Sequence, residues 1–325
     1  MTRVTLPGTA LSVSRLCLGG NRLGGELDRD RSFALLDAFV ALGGNFVDTA
    51  HVYADWLPEV ERSCSEKTIG RWRAARGLAD EVLVATKIGH PVLGQPGKTR
   101  LDRASLRQDV EEARENLGLG CLPIVYLHRD DPASDPSAIL GALEEMRAEG
   151  SILHYGASNW SAARLRLADE AAQAMGWEGF RANQVEWSLA ARNPGTAAAD
   201  LCVMDAAMIG WHRETGIAAI PYSAQAQGYF DKLAAGQLTG PAARHYDSAG
   251  NRARGARLSA LAARHGVDPT QAMLALFRRA GFPVVPVVGC RTAAQVAASV
   301  RGVDLALAAE EVAPFLADLG LATAG

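Results

Sequence analysis

Four side chains that can carry or exchange protons stand at or near the ends of short apolar runs in this sequence. Asp48, Lys87 and His128 each close such a run, and Tyr53 lies five residues after Asp48. Taken singly, each has a structural explanation, such as a helix cap for Asp48, a solvated charge for Lys87 and a core hydrogen bond for His128. Together they contain the parts of an acid–base site, because a buried lysine and a buried aspartate each need a partner.

The chemistry expected from this set is proton transfer to or from a substrate oxygen. A free phenol has a pKa of about 10, so Tyr53 alone is a poor acid near neutral pH. The ammonium of Lys87 is expected to lower the pKa of Tyr53, while Asp48 holds Lys87 in place. His128 would donate or accept a hydrogen bond at the same oxygen. The set has no Ser–His pairing and no clustered carboxylates, so it indicates neither a nucleophilic hydrolase nor a metal site.

Short β-rich runs alternate with helical patterns along the chain, and this alternation determines where the four side chains meet. The β-rich runs lie at residues 14–18, 45–48, 81–86, 123–127, 153–156, 181–185, 216–221 and 284–288. Eight β-then-α units predict an α/β fold of the (β/α)8 TIM barrel type, whose active sites lie at the carboxyl ends of the strands. A doubly wound open sheet is the alternative, because weak strands are easily miscounted in a single sequence.

Two further segments belong to the expected architecture. Residues 4–11 predict an N-terminal β-hairpin with a Pro-Gly turn at its tip. The Gly- and Ala-rich residues 225–257 interrupt the alternation, and we expect them to form a long, extended loop in the C-terminal part of the barrel. Residues 1–325 are expected to form one barrel domain.

The composition excludes several classes of protein. With 48% hydrophobic and 21% charged residues, the 325-residue chain can build a large core. A net charge of −3 without a basic run argues against nucleic acid or an anionic membrane surface as a partner. Neither a secretory signal nor an apolar run of membrane-spanning length is present. The five scattered cysteines form no Cys-x-x-Cys motif, so we expect neither a disulfide framework nor a zinc site, and a reduced cytoplasmic protein.

Five short motifs, in order along the chain, resemble segments of the aldo-keto reductase family. Residues 46–53, Phe-Val-Asp-Thr-Ala-His-Val-Tyr, resemble its Asp-Thr-Ala-x-x-Tyr segment, and residues 65–70 resemble its Ser-Glu-x-x-Leu-Gly. Residues 84–87 and 126–128 are similar to its lysine and histidine strands, and residues 156–159 to its Gly-x-Ser-Asn. Any one of these matches is weak, but their shared order makes the joint resemblance specific.

The resemblance implies an enzyme that reduces an aldehyde or ketone with hydride from NADPH, or from NADH. It implies that Tyr53 protonates the carbonyl oxygen, with Lys87 and Asp48 adjusting its acidity and His128 orienting the substrate. The cofactor would contact residues of five loops and strand ends, namely Gly20, Asn21, Arg22, Ser158, Asn159, Gln184, Tyr222, Ser223, Gly289, Arg291 and Gln295. Of these, Ser158, Asn159 and Gln184 would hold the carboxamide, and Tyr222 would stack on the nicotinamide.

The cofactor phosphates are expected after strands seven and eight, where barrels commonly bind phosphate. Residues 289–295 resemble the Gly-x-Arg-x-x-x-Gln found in part of the family, although Ser299 replaces a final Asn of that pattern. Arg291 can pair with a 2′-phosphate, which favours NADPH. Alternatives remain open, because Ser158 and Asn159 also fit a helix cap, and Gln295 also fits a capping box with Thr292.

The substrate is expected to meet Trp56, Arg129 and Trp187, which follow strand ends. Aromatic walls and a charge suit a polar carbonyl compound, such as a sugar-derived one, although core packing is the more common role of a single tryptophan. Residues 128–132 and 158–161 resemble a bacterial-type branch of the family that acts on varied, often sugar-like, carbonyl compounds.

Two other functions fit the same barrel. One is a redox-sensing regulatory subunit, like the β-subunits of potassium channels, in which the cofactor reports redox state and a partner protein receives the signal. The other is an isomerase or lyase in which Lys87 forms a Schiff base with its substrate.

Overall fold

A short antiparallel hairpin opens the chain at the amino ends of the barrel strands. The computed structural model describes residues 1–78, 81–95 and 97–321. Strands β1 (Arg3–Thr5) and β2 (Ser12–Ser14) pair antiparallel on either side of the Pro-Gly turn, which confirms the predicted hairpin. Ser14 N donates to Asn45 Oδ1 at 2.6 Å, just before a barrel strand begins.

Eight parallel strands follow and form one sheet, namely β3 (Cys17–Gly19), β4 (Phe46–Asp48), β5 (Leu83–Ile88), β6 (Leu122–Leu127), β7 (Ile152–Ser158), β8 (Ala182–Gln184), β9 (Ala218–Ala219) and β10 (Val287–Val288). Their order is β10-β3-β4-β5-β6-β7-β8-β9. Backbone hydrogen bonds join the two outer strands, since Val285 N donates to Ala219 O at 2.9 Å and Val287 N donates to Pro221 O at 2.8 Å. The sheet is therefore closed, which confirms the (β/α)8 barrel against the open-sheet alternative.

The first barrel strand begins later than residue 14, where it was predicted to start. Ser14 instead pairs with Arg3 in the hairpin, and its Oγ donates to Leu16 O at 2.7 Å as the chain turns into the barrel. An unbroken β-rich run does not reveal where a chain leaves one sheet for another, because both strands share the same residue types.

The described residues contain α1 (Arg29–Ala41), α2 (Cys64–Arg76), α3 (Arg103–Leu117), α4 (Pro136–Ala148), α5 (Ala162–Met175), α6 (Ala206–Thr215), α7 (Tyr229–Ala234), α8 (Gly240–Tyr246), α9 (Ala249–His265), α10 (Pro269–Leu276), α11 (Ala293–Asp304) and α12 (Ala309–Leu316). Many of these helices have an N-cap residue whose side chain accepts a hydrogen bond from a backbone N–H of the first turn. Asp135 does this for α4 and Ser161 for α5. No helix within the described ranges is long and apolar enough to cross a membrane.

Most of residues 225–257 are helical, so the prediction of a long loop there is wrong. A 3₁₀ turn (Ala226–Gly228) leads into α7, α8 and the first half of α9. Tyr229 and Tyr246, on α7 and α8, are buried with their ring centroids 6.2 Å apart. The alanines of the segment favour helix, and burial of the two rings supplies the tertiary contacts that offset its glycines.

Apolar side chains fill the barrel interior, and the hairpin covers it from the amino ends of the strands. Leu6 and Leu11 of the hairpin belong to one buried cluster with Phe46, Ile124 and Ile220 of the barrel. A second, larger cluster lies between the strands and the surrounding helices. Polar side chains are therefore gathered at the carboxyl ends of the strands.

Helix α2 supports this polar end because it packs closely on α3. A Cβ on Gly70 would lie 2.1 Å from the carbonyl oxygen of Asn116, so only glycine allows this approach. Asn116 Nδ2 then donates to Glu66 Oε2 at 2.9 Å, and Thr86 Oγ1 donates to the other oxygen of Glu66. Glu66 thereby ties α2 to β5 one residue before Lys87.

We expect Gly70→Ala to destabilise the protein by at least about 2 kcal/mol, because the added methyl overlaps the backbone of α3. Helix propensity alone predicts the opposite sign, by about 0.5–1 kcal/mol. Gly210→Ala is the matched control, since Gly210 lies inside α6 and the nearest atom to its Cβ is a Glu214 oxygen at 3.9 Å. Urea unfolding measures both variants, and equal effects would contradict the packing argument.

Candidate active site

The ammonium of Lys87 is buried and fully hydrogen-bonded. Lys87 Nζ donates to Asp48 Oδ2 at 2.6 Å and to the backbone oxygen of Thr49 at 2.9 Å. Its third hydrogen bond goes to Tyr53 Oη at 2.9 Å. The side chains of Lys87 and Asp48 are only 2% and 3% exposed. Because an ammonium has three N–H donors, all of them are used, and the charge is fixed in position.

Strand ends bring these groups together. Asp48 is the last residue of β4, Lys87 lies near the end of β5, and His128 follows β6 directly. His51 N donates to Lys87 O at 3.0 Å, which anchors the turn that carries Tyr53. His128 N donates to the carbonyl of the residue after Lys87 at 2.8 Å. The structure thus gathers the four residues that the sequence singled out.

Gln184 joins the group from the opposite part of the barrel. It ends β8, and its Nε2 donates to Asp48 Oδ1 at 2.8 Å. Both carboxylate oxygens of Asp48 are therefore engaged, one by Lys87 and one by Gln184. The sequence assigned Gln184 to the nicotinamide carboxamide; in the structure its amide nitrogen binds Asp48.

Burial outweighs the neighbouring ammonium in setting the acidity of Tyr53. Burial raises the pKa of the Tyr53 phenol, the charge of Lys87 opposes this, and Asp48 adds to the rise, so the pKa lies above its ordinary value. The expectation of a lowered pKa is therefore wrong for this structure. Burial lowers the pKa of Lys87, but Asp48 and Tyr53 outweigh it, so that pKa is raised and the ammonium is retained.

His128 presents a neutral imidazole to the site. Burial, followed by the charges of Arg129 and Lys87, holds the pKa of His128 well below its usual range. Its Nδ1 is buried and has no hydrogen-bond partner among the described residues, which leaves Nε2 to reach a ligand. The ring meets Tyr53 and His90 edge-on, with centroids 5.9 Å and 4.7 Å away. The sequence gave no signal for His90.

A cavity of about 790 Å³ extends from these four residues to the loops after β3 and β10. This volume is typical of a site for a small molecule or cofactor. The predicted cofactor residues that line it are Asn21, Arg22, Ser158, Asn159, Gln184, Tyr222, Ser223, Gly289, Arg291 and Gln295.

Gly20 is the exception among the predicted cofactor residues. Gly19 lines the cavity, whereas Gly20 N donates to Asp48 O at 2.7 Å. A Cβ on Gly20 would lie 2.8 Å from that oxygen, so this glycine serves the packing of its loop on β4. Its assignment to the cofactor stays a prediction, since its neighbours Gly19 and Asn21 line the cavity.

The cavity is open at its Gly289 end. Apart from its two chain neighbours, no described residue has an atom within 4 Å of the position that a Cβ on Gly289 would take. The fold therefore does not require glycine there, and the missing side chain keeps the cavity open beside the guanidinium of Arg291. Arg291 N donates to Gln295 Oε1 at 2.7 Å, which orders the loop. In a capping box, the Gln295 side chain would accept from the backbone N–H of Thr292. Here it accepts from Arg291, the residue before, so only the Thr292 half of the box is formed.

Asn159 has its side-chain hydrogen bonds within the protein. Its Oδ1 accepts from Tyr222 Oη at 2.7 Å and from Cys202 N at 3.2 Å. Its Nδ2 donates to His128 O at 3.2 Å and to Ser158 Oγ at 3.1 Å. Asn159 therefore shapes the cavity wall and holds Tyr222, and no hydrogen bond donated by the Ser158 hydroxyl is found among the described residues.

The three predicted substrate residues have different surroundings. Trp56 is 50% exposed and meets the ring of Tyr53 edge-on at 6.2 Å. Arg129 lines the cavity, and its Nε donates to Asp200 Oδ2 at 2.8 Å. Trp187 is buried away from the cavity, where its Nε1 donates to Leu319 O at 3.2 Å, so its assignment to the substrate is wrong. An indole that follows a strand end packs in the core when another segment of the chain covers it. Here the segment around Leu319 covers Trp187.

Sequence reasoning missed one wall of the cavity. It is formed around α7 and α10 by Gln225, Gln227, Asp231, Lys232, Thr270 and Gln271. These residues carry no motif, and part of the wall lies in residues 225–257, which had been expected as a loop. Only the folded structure shows that they line the cavity, because α7 and α10 pack beside the mouth of the barrel.

The family of this protein follows from a comparison of its sequence with family models. Residues 15–316 match the model of the aldo/keto reductase family. The chain belongs to that family. Enzymes of this family use nicotinamide cofactors and act on small carbonyl substrates. Family membership and the residues at the strand ends therefore agree on oxidoreductase chemistry.

Curated members of the family resemble the chain over most of its length. It is 29% identical over 324 residues to a norsolorinic acid reductase of Emericella nidulans, covering 95% of this chain and 79% of that protein. It is 28% identical over 326 residues to an aryl-alcohol dehydrogenase of Pestalotiopsis microspora, with coverage of 95% and 80%. It is 31% identical over 218 residues to the aryl-alcohol dehydrogenase [NADP(+)] of Phanerodontia chrysosporium, with coverage of 62% and 55%. These relatives are fungal and give no support to a bacterial-type branch.

The buried ion pair predicts a specific pattern in a double-mutant cycle. Asp48→Asn and Lys87→Met should each destabilise the protein by about 3–5 kcal/mol, because each leaves a buried charge without its partner. The double variant should lose less than the sum of the two single losses, by at least about 1 kcal/mol. Urea unfolding of the four proteins measures this difference. A double variant that loses the full sum would show that the two side chains are not coupled.

Proposed function

We propose that this protein reduces an aldehyde or ketone to an alcohol with NADPH as cofactor and Tyr53 as the proton donor. The observation that carries the proposal is the hydrogen bond from Lys87 Nζ to Tyr53 Oη at 2.9 Å, at one end of a large cavity. Because the phenol oxygen accepts from Lys87, the phenol hydrogen is left to point to another acceptor. A carbonyl oxygen in the cavity would be that acceptor.

Residues along the cavity fit a nicotinamide dinucleotide. Tyr222 and Ser158 would meet the nicotinamide end, and Gly289 and Arg291 the adenosine end, all of which line the cavity. When bound, the nicotinamide would supply the hydride that reduces the carbonyl carbon. Two guanidinium groups, those of Arg22 and Arg291, line the same cavity and favour a cofactor with an added phosphate, hence NADPH over NADH.

Side chains of this protein would supply the proton that the carbonyl oxygen receives during reduction. Tyr53 would donate its proton to the carbonyl oxygen and become a phenolate. A buried phenolate is costly without a partner, and the fixed ammonium of Lys87 offsets that cost. Neutral His128, with its hydrogen on Nε2, would donate a hydrogen bond to the same oxygen and so orient the substrate. Tyr53 would then recover a proton from solvent.

The same contacts argue against a Schiff base on Lys87. A nucleophilic amine must be unprotonated, whereas Asp48 and Tyr53 keep the pKa of Lys87 raised against the effect of burial. All three N–H groups of Lys87 are also occupied. A redox-sensing regulatory subunit makes a different prediction, which is cofactor binding without turnover of any added carbonyl compound.

We propose an aromatic aldehyde or ketone with polar substituents as the substrate class. Trp56 does not itself line the cavity, but its half-exposed indole meets the ring of Tyr53, which does, and Arg129 adds a charge to the cavity lining. The name aryl-alcohol dehydrogenase, which two of the relatives carry, supports an aromatic compound over the sugar-derived one that the sequence suggested.

Replacing Tyr53 by Phe should lower kcat for reduction by at least about 100-fold, because the proton donor is lost. NADPH oxidation with 4-nitrobenzaldehyde or with glyceraldehyde measures kcat, and a fluorescence titration should show that NADPH affinity is kept. Tyr229→Phe is the matched control, since that buried tyrosine lies outside the cavity. Near wild-type turnover in Tyr53→Phe would refute the proton-donor role. Wild-type protein that binds NADPH but reduces neither aldehyde would favour the regulatory subunit.

The pH dependence of reduction follows from the two shifted groups. Tyr53 acts in its protonated form, so activity is full below its pKa and falls as the pH rises through it; burial places that pKa above about 10. His128 is kept neutral and should contribute no titration near pH 6.5. We therefore expect kcat to be level between about pH 6 and pH 9 and to fall only at higher pH. A decline between pH 6 and pH 8 would contradict these assignments.

A further inference from the structure

Two arginines that line the cavity share one carboxylate oxygen. Arg22 Nη1 donates to Glu26 Oε2, and Arg291 Nη2 donates to the same oxygen at 3.3 Å. Arg22 and Glu26 follow β3, whereas Arg291 follows β10, so one side chain bridges two loops that are distant in sequence. Both arginines line the cavity and Glu26 does not. The carboxylate thus pairs with both cations without itself lining the cavity.

We propose that Glu26 tunes the choice between phosphorylated and unphosphorylated cofactor by competing for the two arginines. The inference rests on the proposed function, in which Arg22 and Arg291 receive the extra phosphate of NADPH. In the free protein, the carboxylate compensates the like charges of the two guanidinium groups. A phosphate that reaches the arginines meets cations whose charge is already partly balanced, and it is also repelled by Glu26. NADH brings no such phosphate, so Glu26 lowers affinity for NADPH selectively.

The exposure of the three side chains supports a tuning role over a structural one. Arg22, Glu26 and Arg291 are 26%, 49% and 58% exposed. Ion pairs this accessible contribute little to folding, so the carboxylate can exchange partners when a phosphate arrives. The backbone of Arg291 is held separately by Gln295. The guanidinium can therefore move from the carboxylate to a phosphate without disturbing the loop.

Glu26→Gln tests the inference by removing the charge and keeping the size of the side chain. Tryptophan fluorescence titrations with NADPH and NADH would be made on wild type, Glu26→Gln and Glu149→Gln. Glu149 is the matched control, because it is also 49% exposed and pairs with an arginine, Arg107, outside the cavity. For Glu26→Gln, we expect the Kd of NADPH to fall about three- to tenfold and that of NADH to change less than twofold. For Glu149→Gln, neither Kd should change. Raising NaCl from about 0.05 M to 0.5 M should shrink the NADPH effect.

Three outcomes would overturn the inference. If NADPH binds Glu26→Gln as in wild type or more weakly, Glu26 does not compete and instead positions the arginines or does nothing. If Glu149→Gln has the same effect, the cause is net charge and not the bridge. If wild-type protein binds neither nucleotide, the proposed function itself fails and this inference with it, which distinguishes that failure from a failure of Glu26 alone.

Discussion

The burial of one ammonium group is the constraint on which the site is built. A charge taken out of water is costly unless each of its N–H groups finds an acceptor. The acceptors of Lys87 are a carboxylate, a backbone carbonyl and a phenol, all from β4 and the turn that follows it. They converge because β4 and β5 pair in one register, with Asp48 opposite Ala85. Gln184 extends the constraint across the barrel by binding the second oxygen of Asp48.

The same burial determines the protonation states from which the chemistry starts. Burial raises the pKa of Tyr53 although Lys87 opposes it, so the phenol holds its proton in the free protein. Burial also keeps His128 neutral. A site that begins with an ammonium, a neutral phenol and a neutral imidazole fits the proposed protonation of an oxygen, in which Lys87 would stabilise the phenolate that is left.

The two ends of the cavity differ in how far their charged groups are buried. Around Lys87 the charged groups are buried, hydrogen-bonded to one another and held by strands, which suits chemistry that depends on fixed distances. Around Arg291 the charged groups are partly exposed, which suits the proposed recognition of a phosphate that must enter and leave. Glu26 belongs to this second end, and the role proposed for it would change cofactor preference without altering the fold.

The sequence by itself determined the barrel, the hairpin and the meeting of the four residues, because residue patterning sets local structure and parallel strands end at one rim. It did not determine that residues 225–257 are helical, that Trp187 lies in the core or that Gly20 packs against β4, since each depends on which distant segment covers it. The direction expected for the Tyr53 pKa shift was also wrong, because burial raises that pKa by more than Lys87 lowers it. Proximity to Lys87 can be predicted from spacing, whereas desolvation sums the contributions of every surrounding atom and exists only once the chain is folded.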